Sequence, residues 1–229
     1  MKKKKSIAVA VVLALILLIG GLLAYFTDTD TKTNDFTLGG EVDISLAETG
    51  WDALTDSNNN DIPDIAEGIH PGTTVTKDPT VTNETTDTPA YVFVEAVVPC
   101  YDSDDDGTVD APLFILNSST AGTAATTTPN SGWYLVNTPS VDTTSNTITY
   151  VFAYGNSTGM TALGGAGTTA TTSTSPFSSV TLEPTLQADQ APAGADAADI
   201  VVNAYGIQTD GFTNSTPSQV WTALQNDLP

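Results

Sequence analysis

The feature that most constrains this chain is its opening. Four lysines, Lys2 to Lys5, precede an apolar run from Ile7 to Ala24, and the polar stretch Tyr25-Phe26-Thr27-Asp28-Thr29-Asp30 follows at once. A cationic start, an apolar segment and a small closing residue are what a secretion channel and its peptidase require. The sequence therefore predicts a signal peptide over residues 1–24, cut between Ala24 and Tyr25 after Leu22-Leu23-Ala24. Everything after it then folds outside the cytoplasm, with no stable membrane insertion once the cut is made. Two rival readings of the run stay open. About 18 apolar residues can also span a bilayer as a permanent anchor. A type IV pilin leader would need an acidic residue soon after the run begins, and none precedes Asp28.

An extracellular chain is often held by disulfides, but this one has a single cysteine, Cys100, so no internal disulfide can form. Stability must come from packing, metal binding or assembly. Cys100 lies in Val97-Val98-Pro99-Cys100 and reads as a buried apolar filler at a strand end. Past residue 24 the chain keeps two lysines, Lys32 and Lys77, against all 27 carboxylates, a net charge near −25. Nucleic acid and anionic lipid need clustered cations and are excluded as partners. Divalent cations are favoured instead.

Thr, Ser, Asn, Gly and Ala dominate, while helix-favouring Lys, Arg and Glu are scarce, so the composition is that of an all-β protein. Glu41-Val42-Asp43-Ile44-Ser45-Leu46 alternates with the period of a half-buried strand, after a bend at Gly39-Gly40. Further strands are expected over residues 73–82, 90–98, 113–116, 132–137, 147–154, 180–186 and 199–208. Eight strands separated by turn-rich loops predict a β-sandwich. The low-complexity stretches 118–130 and 155–175 read as surface insertions. After the start signal Ser215-Thr216-Pro217, Val220, Trp221 and Leu224 fall at helical spacing. A short C-terminal helix is expected over 217–228, packing its tryptophan on the sandwich.

Two loops carry the spacing of calcium sites. In Asp56-Ser57-Asn58-Asn59-Asn60-Asp61-Ile62-Pro63-Asp64, oxygen-bearing side chains occupy positions one, three, five and nine, and Glu67 stands at twelve. Alternate residues of a tightly wound loop point inward. Asp56, Asn58, Asn60, Asp64 and Glu67, with the Ile62 carbonyl, can therefore converge on one hard cation, although Asp61 stands where glycine is usual. Asp102-Ser103-Asp104-Asp105-Asp106-Gly107-Thr108-Val109-Asp110 repeats the spacing with its glycine in place. Here Asp102, Asp104, Asp106, Thr108 and Asp110 are the expected Ca2+ ligands, and position twelve is Leu113. This loop resembles those of dockerins and thrombospondin type 3 repeats. The competing reading is a solvated acidic turn, since Asp, Asn and Gly form turns anyway.

Catalytic signatures are nearly absent. The one histidine is His70, and the chain has no HExxH, CxxC, Gly-x-Ser-x-Gly or phosphate-binding loop motif. A non-enzymatic role is expected.

Several stretches together resemble one family, the TasA/camelysin group of secreted fibre proteins of bacterial biofilm matrices. They include Gly20-Gly21-Leu22-Leu23-Ala24-Tyr25-Phe26-Thr27-Asp28, Phe36-Thr37-Leu38-Gly39-Gly40-Glu41-Val42-Asp43-Ile44, and Pro71-Gly72-Thr73-Thr74-Val75-Thr76-Lys77 running to Asn83. Pro89-Ala90-Tyr91-Val92-Phe93-Val94, Ser175-Pro176-Phe177-Ser178-Ser179-Val180 and Ala204-Tyr205-Gly206-Ile207-Gln208-Thr209-Asp210-Gly211-Phe212 extend the resemblance over most of the chain. It implies a SipW-type signal peptidase, a jelly-roll-like sandwich, and head-to-tail growth in which one subunit's N-terminal segment fills a strand gap in the next. Camelysin is described as a protease, but no residues here support carrying that over.

The organisation expected is a cleaved signal at 1–24, a donor strand at 25–35 and a sandwich domain at 36–229. In the donor, Tyr25 and Phe26 would anchor while Thr27, Thr29, Thr31 and Thr33 form one β-favouring face. The function read from the sequence is a secreted, calcium-stabilised subunit of extracellular matrix filaments. Its partners would be copies of itself, the signal peptidase during export and an anchoring accessory protein. The alternative is a monomeric or membrane-tethered calcium-binding adhesin or carbohydrate-binding module, which would show clustered exposed aromatics.

Overall fold

The computed structural model describes residues 42–60, 62–118, 120, 127–168, 170–192 and 198–227. The expected signal peptide and cleavage site Ala24/Tyr25 and the expected assembly residues Tyr25, Phe26, Thr27, Thr29, Thr31 and Thr33 lie outside the described residues, as do Asp61 and Leu228.

The described chain is mostly strand. In order come β1 (Ile44–Ala47), a one-turn helix α1 (Thr49–Asp52), β2 (Thr74–Thr76), β3 (Thr80–Asn83) and the long β4 (Ala90–Tyr101). Then follow β5 (Ala111–Pro112), β6 (Phe114–Leu116), β7 (Trp133–Leu135), β8 (Val141–Asp142) and β9 (Thr147–Asn156). The chain continues through β10 (Gly159–Met160), β11 (Ser179–Leu182) and β12 (Val201–Gln208) to helix α2 (Pro217–Asp227).

These strands make an all-β sandwich. One layer is a seven-stranded sheet ordered β10-β9-β4-β12, with β5 on β4 and with β7 and β8 on β9. The facing layer is two small sheets, β2-β11-β6 and β1-β3. In the large sheet β4 runs antiparallel to β9, Phe93 opposite Ala153 through Pro99 opposite Thr147. On its other side β4 pairs β12, Val201 opposite Val97 through Gln208 opposite Ala90.

The near-continuous apolar run of β4 follows from burial on both faces. Val92, Val94, Ala96 and Val98 point into the sandwich core with Val75, Val81, Leu116, Tyr150, Phe152, Phe177 and Val180. Phe93 points the other way with Val151 and Ala153, into a second cluster closed by Val220, Trp221 and Leu224 of α2. The expected C-terminal helix is thus in place, its tryptophan ring 5.1 Å from Phe93 and 5.4 Å from Tyr205. The layers approach closely at Gly206 of β12, where a Cβ would come within 2.9 Å of Val42 and 3.0 Å of Ile44. A glycine mid-strand marks such a close approach.

Three expectations need correction. The strand read over 73–82 is two strands in different sheets, because Pro79 lacks an N–H and breaks the ladder after Lys77-Asp78. The strand read over 180–186 ends at Leu182, just before Pro184. The stretch 155–175 is not simply a surface insertion. Leu163 is 1 % exposed and pairs Ala90, and Thr172 pairs Thr82, so this segment helps close the core. Its Thr and Gly composition hid the one leucine that matters. Cys100 is buried, as expected, and burial followed by the Asp110 charge pushes its thiol up to about 12.

Candidate metal centre

The two acidic loops are built on the same backbone plan, which their different side chains do not make obvious. In the second loop the Asp102 carboxylate, directly after β4, accepts N–H bonds from Asp105 at 2.8 Å, Asp106 at 3.3 Å and Gly107 at 2.7 Å. Asp106 in turn accepts from the Thr108 N–H at 2.8 Å. The base is closed by Asp110, whose two oxygens take the Ser103 N–H at 2.9 Å and the Ser103 hydroxyl at 3.0 Å. Finally, the Asp110 N–H returns to the Tyr101 carbonyl.

The first loop repeats these bonds at its positions one, four, five, seven and nine. Asp56 accepts from Asn59 at 2.8 Å and Asn60 at 3.4 Å, and Asn60 accepts from Ile62 at 3.0 Å. Asp64 takes the Ser57 N–H at 2.8 Å and its hydroxyl at 2.6 Å, while the Asp64 N–H returns to Thr55. Position four of each loop, Asn59 and Asp105, sits at positive φ, 57° and 65°. Asn and Asp are the side chains that best tolerate that conformation. Such self-bonding explains how a run of like charges can hold a tight turn.

What the loops gather differs. In the second, Asp102, Asp104 and Asp106 bring one carboxylate oxygen each to within 4.8 Å of one another, an oxygen set able to hold a metal ion. In the first, the equivalent positions carry one carboxylate and two amides. There Glu67 reaches back, and one of its oxygens accepts from Asn58 Nδ2 at 2.8 Å and Asn60 Nδ2 at 2.6 Å. The position-twelve carboxylate is therefore drawn to the point where the position-three and position-five side chains meet. In the second loop Leu113 at that position is 2 % exposed and belongs to the core. Asp64 and Asp110 are occupied by the two serines. The serines at position two, Ser57 and Ser103, which hold these two carboxylates, are the residues that ligand spacing alone misses.

Electrostatics separates the carboxylates of the second loop. Desolvation pushes the Asp102 carboxyl up, but the N–H groups of Gly107, Asp105, Asp106 and Asp104 outweigh it and hold the group below its ordinary value. Asp104 is pushed up, first by the neighbouring Asp106 charge, then by desolvation and by Asp110 and Asp102. Asp64 is held down by the hydroxyl and N–H of Ser57. Asp102 is thus an anion fixed by the backbone, whereas Asp104 carries repulsion that a cation would reverse.

Among the described residues the triad is the only convergence of His, Cys, Asp and Glu side chains, and it includes neither His70, which is exposed, nor Cys100. Trp133 and Trp221 are buried and Trp51 is half-buried, so the tryptophans do not form an exposed aromatic face. No described helix is long and apolar enough to cross a membrane; the run Ile7 to Ala24 lies outside the described residues.

No curated protein and no solved structure matched the chain. Its first 111 residues match the family model described as camelysin metallo-endopeptidase. That match takes in the lysine-led apolar run, the first acidic loop and the second loop up to Asp110. The family to which the sequence pointed, the camelysin/TasA group, is thereby matched over residues 1–111.

Proposed function

We propose that the exported chain is a structural subunit of extracellular filaments. It polymerises when the segment Tyr25 to Asp35 of one copy adds as a strand to the next, and Ca2+ bound at the two acidic loops stabilises it. The observation that carries the reading is β12. It is eight residues long, Val-Val-Asn-Ala-Tyr-Gly-Ile-Gln, without charge or proline, and among the described residues it is paired on one side only, to β4. Secreted sandwiches normally blunt such an edge with charge, proline or a covering strand. An added strand supplies main-chain hydrogen bonds along the row. The Thr-alternating N-terminal segment has the β-propensity to be that strand.

The metal is read as structural. A zinc peptidase builds its centre from His nitrogens with a carboxylate or thiolate and keeps one position open. This chain has one histidine, and its metal candidates are oxygen ligands. Oxygen ligands on a winding loop suit a hard cation, and with a net charge of −21 even before export the chain gains from neutralisation.

The test uses protein beginning at Phe36 and a synthetic peptide of residues 25–35. Saturable binding with a gain in strand signal by circular dichroism is expected. A peptide that leaves the protein unchanged at millimolar concentration would end the strand-addition reading.

A further inference from the structure

We draw no further inference here: the strongest candidate, the buried Glu183 carboxylate near Tyr101 beneath the Asp102–Asp110 turn, extends an acidic side-chain cluster that belongs to the site already described, and no second observation points to a ligand there.

Discussion

Lys77 is the only lysine or arginine among the described residues, and it is spent internally. Its ammonium lies 2.7 Å from Glu48 Oε2, with the two side chains only 10 % and 18 % exposed, and 4.9 Å from the centre of the Trp51 ring. The other Glu48 oxygen is buried without a hydrogen-bond partner. Next to it the Asp78 carboxylate accepts the N–H groups of Gly50 and Trp51, so residues 77 and 78 together hold α1 against the β2–β3 connection. Replacing Lys77 by Met keeps the aliphatic stem but leaves Glu48 charged, nearly buried and alone. Breaking a buried pair in this way costs about 3–5 kcal/mol, and the residual exposure argues for the lower end, about 3 kcal/mol. For a domain of this size that corresponds to a Tm lower by about 6–12 °C. Calorimetry on the parent, Lys77→Met, and Lys77→Met with Glu48→Gln would check it. The double variant should recover at least half the loss, because the stranded charge is the cause. Hydrogen exchange should speed first over residues 44–54. A Lys77→Met protein melting within 2 °C of the parent would refute the reasoning, as would a double variant no better than the single.

Other expectations concern the loops and the core. Calcium should raise the Tm of the parent, and Asp104→Asn should shrink that rise, leaving the part owed to the first loop, without lowering the Tm in chelator, since the substitution removes repulsion from Asp106. In chelator, stability should fall as pH drops through and below the ordinary carboxylate range. Asp64, Asp102 and Asp142 are held down by hydrogen bonds in the fold, so the stability they add is present above that range and is lost as they protonate. Asp104 runs the other way, its repulsion relieved on protonation, and Asp104→Asn should therefore steepen the acid loss seen in urea titrations at stepped pH. Cys100, 3 % exposed with its thiol raised to about 12, should resist iodoacetamide at pH 8 in the native protein and react once denatured.

Much of this architecture is written locally. The apolar strand segments of β4, β9 and β12 carry the large sheet, and Val220, Trp221 and Leu224 give the helix that covers it. What local pattern cannot carry is partnership. Nothing in residues 73–82 says that Val75 and Val81 belong to different sheets, although Pro79 is a warning. Leu163 is one apolar residue in a run of Thr, Gly and Ala, and only its pairing with Ala90 makes it core. The loops follow the same logic. Ligand spacing is visible because it is local, and so is the serine shared at position two, Ser57 and Ser103. That the second loop lacks a twelfth ligand is equally visible, since Leu113 stands there, whereas the burial of Leu113 in the core is set by long-range packing.

Strand donation is most directly tested by electron microscopy of untagged protein beginning at Tyr25, beside protein beginning at Phe36, each with calcium and with chelator. The account predicts filaments from the longer form alone, more abundant or more durable with calcium, while the shorter form remains folded and monomeric. Filaments from both forms, or folded monomers from both under every condition, would contradict it.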